Sequence, residues 1–142
     1  MVGLSTAFAA LLTMEQIPMK IAGFITSISQ NGFVILLLIN LLLLLVGMFI
    51  DNIPATIILT PILLPICRKF GMSPITFGIM LTMNLAIGFC TPPYGINLFV
   101  ATAISKVKME ALSKELILLI GALILVLGAV TYIPSVTTIF LK

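Results

Sequence analysis

Charged side chains are scarce in this sequence, and histidine and tryptophan are absent. Seven basic and four acidic residues occur among 142 residues, whereas apolar residues make up 61% of the chain. So few charges cannot cover the surface of a soluble domain, which excludes an ordinary soluble enzyme and a disordered chain. The net charge of +3 comes without a dense basic stripe, so the sequence also argues against binding to nucleic acid.

The missing histidine removes the commonest general base and the commonest metal ligand. No nucleophile–base pair stands out in the sequence, so we predict that the protein is not an enzyme and needs no organic cofactor. Cys67 and Cys90 lie in apolar runs without the spacing of a metal or redox motif. We expect both to pack as small apolar side chains.

Long stretches without any charge separate the few charged residues. None occurs between Lys20 and Asp51, or between Glu115 and Lys142. About 20 mostly apolar residues suffice for a helix to cross a membrane, so the pattern predicts an all-α, multi-pass membrane protein. The alternative, a soluble helical core, would need polar faces at helical spacing, and residues 34–46 have none.

The hydropathy pattern divides the chain into five segments. Residues 15–30 place Ile17, Ile21 and Ile25 on one side of a helical wheel, which favours an amphipathic helix lying in the membrane interface. A loop leading into the next span is the alternative. The predicted segments are a partial helix at 1–14, the interfacial helix at 15–30, a broken apolar region at 33–68, a second broken helix at 74–104, and a last span at 116–140.

Two interruptions of the apolar pattern carry the functional argument. The first, at residues 47–56, contains Asp51, and the second, at residues 91–95, contains two consecutive prolines. Lipid cannot satisfy the backbone of a broken helix, so such breaks lie inside protein or line a wet cavity. Paired breaks are typical of secondary transporters, where free carbonyls coordinate a cation and helix N-termini attract a carboxylate. An acidic residue within the membrane is costly and therefore points to function.

Each of these features also has a purely structural explanation. Asp51 could simply cap a new helix in an interfacial turn, with Pro54 in the first turn of that helix. The two prolines after Thr91 could produce no more than a kink. Asn84 and Asn97 suit hydrogen bonding between helices as well as they suit contact with a ligand.

An ordered set of motifs resembles a known transporter family. The motifs are residues 47–51 (GMFID), 61–65 (PILLP), 71–74 (GMSP), 84–88 (NLAIG) and 91–99 (TPPYGINLF). Together they resemble the C-terminal part of the large membrane subunit of TRAP (tripartite ATP-independent periplasmic) transporters, the DctM-like permeases of the ion-transporter superfamily. The resemblance covers nearly the whole chain, residues 1–142.

The resemblance implies a particular architecture, namely one repeat of an inverted-repeat elevator transporter. In that architecture residues 15–30 are an arm helix, 33–68 a re-entrant helical hairpin, 74–104 a discontinuous transmembrane helix and 116–140 the last span. The hairpin tip and the unwound break would meet to hold Na⁺, through Asp51 and backbone carbonyls near Thr91. The expected ion-binding residues are Gly47, Asp51, Asn52, Thr56, Thr91, Pro92 and Gly95, and the expected substrate-binding residues are Pro93 and Asn97.

The resemblance also implies a function, a location and a set of partners. Members of the family import organic acids, such as C4-dicarboxylates or sialic acid, across the bacterial inner membrane with Na⁺ as coupling ion. The expected partners are a small TRAP membrane subunit, a periplasmic substrate-binding protein, the lipid bilayer and the rest of the large permease. The competing hypothesis is a membrane scaffold or interaction fragment that does not transport, which needs only helix packing.

Overall fold

The chain folds into a bundle of helices in a computed structural model that describes residues 7, 10, 11, 14–92 and 95–139. Within those residues there are helices, turns and bends but no strand, in agreement with the predicted all-α class. In the described part of the chain, two helices, α2 and α6, are long and apolar enough to cross a membrane. The helices are α1 (Ile17–Ile28), α2 (Gly32–Phe49), α3 (Asn52–Lys69), α4 (Pro74–Phe89), α5 (Ile96–Ser105), α6 (Met109–Tyr132) and α7 (Pro134–Thr138).

Helices α2 and α3 form an antiparallel hairpin that turns at Ile50 and Asp51. The two far ends of the hairpin are adjacent, because a Cβ added to Gly32 would lie 2.8 Å from a ring carbon of Phe70. Each arm has 18 residues and is therefore about 27 Å long. Helix α3 continues through Pro61 and Pro65, both of which lie on its exposed side.

Helix α4 is the centre of the bundle and packs against both arms of the hairpin and against α6. Its buried face presents Phe77, Met80 and Leu85, none of which is more than 1% exposed. These side chains belong to one apolar core together with Ile39 and Leu43 of α2. The hairpin and α4 therefore share a single packed interior rather than lying as separate units.

Helix α6 returns antiparallel along α4 and ends beside the start of α2. The ring of Tyr132 stacks on that of Phe33 with centroids 4.4 Å apart, and its hydroxyl donates to the Phe33 carbonyl at 3.0 Å. A hydrogen bond of 2.7 Å joins the hydroxyls of Thr76, near the start of α4, and Thr137 in α7. The starts of α2 and α4 and the end of α6 thus lie at one end of the bundle.

The outer faces of the helices are strongly apolar. Leu118 and Leu125 of α6 are 82% and 77% exposed, and Phe24 and Ile28 of α1 are also exposed. In α1, by contrast, Ile25 is buried in the core, so one side of this helix packs against the bundle. Such an apolar exterior suits contact with lipid or with further membrane helices rather than with water.

Candidate functional site

The turn of the hairpin is built around Asp51. The Asn52 N–H donates to the Asp51 carboxylate at 2.7 Å, so this side chain caps the N-terminus of α3. The Ala55 N–H donates to the Asp51 carbonyl at 3.1 Å, and the Thr56 hydroxyl donates to the Asn52 side-chain oxygen at 3.2 Å. Asp51 is half-buried, and the basic residues that follow it most closely, Arg68 and Lys69, lie at the far end of α3. Asp51 therefore does cap a helix, as its structural explanation required.

A shallow groove of about 280 Å³ lies beside this turn. It is lined by Asn52, Ile53, Thr56 and Ile57 from the start of α3 and by Thr82 from α4. Three polar residues, Asn52, Thr56 and Thr82, therefore border a common space. Nothing in the sequence singles out Thr82, because only the packing of α4 on the hairpin brings it to this place.

The hairpin and α4 approach most closely where two glycines meet. A Cβ added to Gly88 would lie 2.6 Å from the carbonyl carbon of Gly47, and one added to Gly47 would lie 2.9 Å from the Cα of Leu85. Backbone therefore touches backbone, which only glycine permits. Since Gly47 comes four residues before Asp51 and Gly88 three before Thr91, this contact places the two interruptions side by side.

The second interruption begins where α4 ends, and its prolines explain why. The Phe89 carbonyl would receive a helical hydrogen bond from the residue three or four positions later, and both positions are proline. Proline has no N–H, so no helical donor exists for this carbonyl. The last turn instead closes with bonds from the Cys90 N–H to the Ile87 carbonyl and from the Thr91 N–H to the Gly88 carbonyl, at 3.1 and 3.0 Å.

Gly95 closes the break and starts α5. It is buried, and a Cβ there would lie 2.8 Å from the Phe89 carbonyl oxygen and 3.1 Å from the Thr91 carbonyl oxygen. Its N–H donates to the Thr91 carbonyl at 3.1 Å. The Phe89 oxygen, which the prolines deprive of a helical donor, thus lies so close to Gly95 that any larger residue there would collide with it.

The remaining predicted site residues differ in burial and in hydrogen bonding. Pro92 is exposed, and Pro93 lies outside the described residues. Asn97 is exposed on α5 and its amide donates to the Cys90 sulfur at 3.7 Å. Asn84 is fully buried and donates to Asn40 at 2.7 Å, which decides in favour of hydrogen bonding between helices.

Four helix ends converge on this region. The C-termini of α2 and α4 supply carbonyl oxygens with partial negative charge, and the N-termini of α3 and α5 supply N–H groups with partial positive charge. The Asp51 carboxylate adds a full negative charge. An arrangement of this kind offers oxygen ligands to a cation and helix N-termini to an anion.

Adjoining breaks between apolar helices are typical of membrane transport proteins. Sequence comparison identifies the family. The chain matches the family described as "Tripartite ATP-independent periplasmic transporter, DctM component" over residues 1–136. It therefore belongs to this family of membrane-embedded TRAP transporter permeases, as the motifs predicted. The family consists of transporters rather than enzymes.

Several characterised members of the family are similar along almost the whole chain. An isethionate TRAP transporter permease protein of Oleidesulfovibrio alaskensis is 44% identical over 140 residues, which cover 99% of this chain and 22% of the relative. A C4-dicarboxylate large permease of Pseudomonas aeruginosa is 38% identical, covering 92% of this chain and 30% of the relative. The sialic acid large permease of Vibrio cholerae is 37% identical, covering 93% of this chain and 31% of the relative. The chain thus spans less than a third of the length of these relatives.

Proposed function

We propose that this chain forms the C-terminal repeat of the large permease of a Na⁺-coupled TRAP transporter that imports an organic acid across a bacterial inner membrane. The observation that carries the proposal is the contact of Gly47 with Gly88, which holds an acidic turn beside a break where two prolines remove the helical donors of the Phe89 carbonyl. A scaffold that only packs helices gains nothing from aligning two interruptions of this kind.

The coupling ion is proposed to bind between the two interruptions. Asp51 supplies the negative charge, and Asn52 and Thr56 orient the turn. The break supplies the Phe89 carbonyl oxygen, whose helical donors are lost because Pro92 and Pro93 have no N–H. Carboxylate and carbonyl oxygens are the ligands that hard cations prefer. Gly47 contributes by allowing the close approach, and Pro92 by withholding a donor from the break.

The proposed substrate is a small organic acid. Similar permeases are named for isethionate, C4-dicarboxylates and sialic acid, which are all anions. The N-terminus of α5 suits an acidic group, and in the sequence Pro93 precedes and Asn97 follows the first residue of this helix. Delivery would come from a periplasmic binding protein. The small membrane subunit and the rest of the large permease would complete the transporter around a re-entrant hairpin and an elevator movement.

The test replaces Asp51 in the native membrane complex that contains this chain. Uptake of radiolabelled succinate, sialic acid and isethionate is measured in proteoliposomes over a range of Na⁺ concentrations and is normalised to the amount of protein. D51A is expected to raise the half-saturating Na⁺ concentration, whereas E110A, which removes an exposed acid at the start of α6, leaves it unchanged.

The structural role of Asp51 is separated by a second variant. D51N retains a side-chain oxygen that caps α3, since asparagine and aspartate are equally good caps, but it removes the charge. If D51N transports with unchanged Na⁺ dependence, or if D51A lowers protein abundance and uptake in equal proportion, Asp51 is a cap and not part of an ion site.

A further inference from the structure

Three polar side chains join α2, α4 and α6 in the middle of the apolar core. The Asn84 amide donates to the Asn40 side-chain oxygen at 2.7 Å, and the Asn40 amide donates to the Thr131 hydroxyl at 3.1 Å. Asn84 is 0% exposed and Thr131 is 5% exposed. We call Asn40, Asn84 and Thr131 the polar triad. None of these residues belongs to the proposed ion or substrate site.

The hydrogen bonds of the polar triad run in one direction. Each residue also donates to a carbonyl four positions earlier in its own helix. The Asn84 amide donates its second hydrogen to the Met80 carbonyl at 2.8 Å. The Asn40 amide donates to the Leu36 carbonyl at 3.0 Å, and the Thr131 hydroxyl to the Leu127 carbonyl at 2.8 Å. Turning the Asn84 amide over would set its oxygen against the oxygen of Asn40 and that of Met80. The orientation of the amide is therefore fixed, and it leaves the Asn84 side-chain oxygen buried without a partner among the described residues.

A buried amide with an unused acceptor is unfavourable unless it provides something that an apolar side chain cannot. The glycine contact between α2 and α4 lies about one helical turn away, since a Cβ on Gly47 would lie 3.4 Å from the backbone oxygen of Asn84. That contact consists only of backbone surfaces, which have no directional bond to prevent one helix from sliding along the other. The polar triad supplies such a bond at the adjacent turn.

We propose that the polar triad is a positioning device that fixes the register of α4 against α2 and α6, so that the hairpin turn and the break stay aligned. Asn84 is its central positioning residue. Its role at the transport site rests on the function proposed above, whereas its effect on helix register does not. Apolar side chains of similar volume would preserve packing but not this alignment.

The test compares N84L, N40L and the double variant N40L/N84L in the native membrane complex. N31L is the matched control, because Asn31 is an exposed asparagine just before α2 whose side chain does not cap that helix. Amide hydrogen exchange is followed in peptides covering residues 85–91, next to the glycine contact, and residues 59–69, at the far end of α3. The half-saturating Na⁺ concentration for uptake is measured on the same preparations.

N84L is expected to speed exchange in residues 85–91 by roughly 3- to 20-fold, the range typical of hydrogen bonds between membrane helices, and to leave residues 59–69 unchanged. The double variant should change exchange by less than the sum of the two single variants, because each single variant removes the same hydrogen bond between the two asparagines. The double variant also keeps the test valid if N84L alone fails to fold, because it removes both side chains of the Asn40–Asn84 hydrogen bond. An increased half-saturating Na⁺ concentration in N84L would show that the polar triad also affects the proposed ion site.

Uniformly faster exchange along the chain, or no change in residues 85–91, would overturn the proposal. The same is true if the effects of N40L and N84L add. If exchange changes locally as expected but the wild-type complex does not respond to Na⁺, the positioning role is supported and the proposed ion coupling fails. If the wild type responds to Na⁺ and N84L matches the control in both measurements, the positioning role fails and the coupling stands.

Discussion

Replacing Gly88 by alanine tests the contact that brings the two interruptions together. The new Cβ would lie 2.6 Å from the Gly47 carbonyl carbon and 2.8 Å from the Gly47 Cα. Both neighbours are backbone atoms, which cannot rotate away as a side chain can. Optimal contact between carbon atoms is about 3.5–4.0 Å, so the hairpin must move away from α4 by about 1 Å.

The cost of this movement follows from comparison with a matched glycine. Overpacking a core costs about 1–3 kcal/mol, while alanine gains up to about 1 kcal/mol over glycine within a helix. Gly78 lies on the same helix, and nothing lies within 4 Å of the position of its Cβ. The G78A variant therefore has the helical gain without the clash, and the difference between G88A and G78A isolates the steric cost of about 1–3 kcal/mol.

The assay is thermal unfolding of the purified membrane complex, followed by alkylation of Cys67, whose side chain is 0% exposed in the folded protein. We expect G88A to expose Cys67 at a temperature roughly 4–12 °C below that of G78A. The 1 Å displacement also exceeds the tolerance of a metal site, about 0.2 Å, so G88A should lose stabilisation by added Na⁺. If G88A and G78A unfold together and respond equally to Na⁺, the close contact does not support the site.

Three further predictions concern the hairpin and the break. G32A should destabilise the protein less than G88A in the same unfolding assay, because its Cβ meets only the movable ring of Phe70 at 2.8 Å. P92A/P93A restores donors for the Gly88 and Phe89 carbonyls, so helical circular dichroism should rise and Na⁺ dependence of uptake should weaken; unchanged Na⁺ dependence would contradict a role for these carbonyls. D51N should raise the half-saturating Na⁺ concentration for uptake without lowering protein abundance, since it keeps the cap of α3; reduced abundance with normal Na⁺ dependence would count against the ion site.

Local chemistry made the ends of the helices predictable. The Asp51-Asn52 pair signals a cap before α3, and the two prolines after Thr91 remove the donors on which α4 would depend. These signals act within one helical turn, so the sequence alone displays them. The family could be recognised because two of its motifs, residues 47–51 and 91–99, lie at the hairpin turn and at the break.

Long-range pairings could not be predicted in the same way. The sequence left Asn84 open between helix packing and ligand contact, and its pairing with Asn40, 44 positions away, follows from the packing of α4 on α2. Gly47 was predicted to belong to the ion site, but its close contact with the Gly88 backbone could not be foreseen, because it depends on how α4 packs against α2. The continuation of α3 through Pro61 and Pro65 was also not anticipated. Both rings lie on the exposed side, where they displace no core packing.

In the proposed mechanism, the hairpin turn and the break form one cation site. Hydrogen exchange of the native complex in NaCl and in choline chloride of equal ionic strength tests it most directly. We expect Na⁺ to slow exchange in residues 47–56 and in residues 88–95 together, with the same half-saturating concentration, and to leave exchange in the outer part of α6 unchanged. Protection of only one of these segments, or of neither, would contradict it.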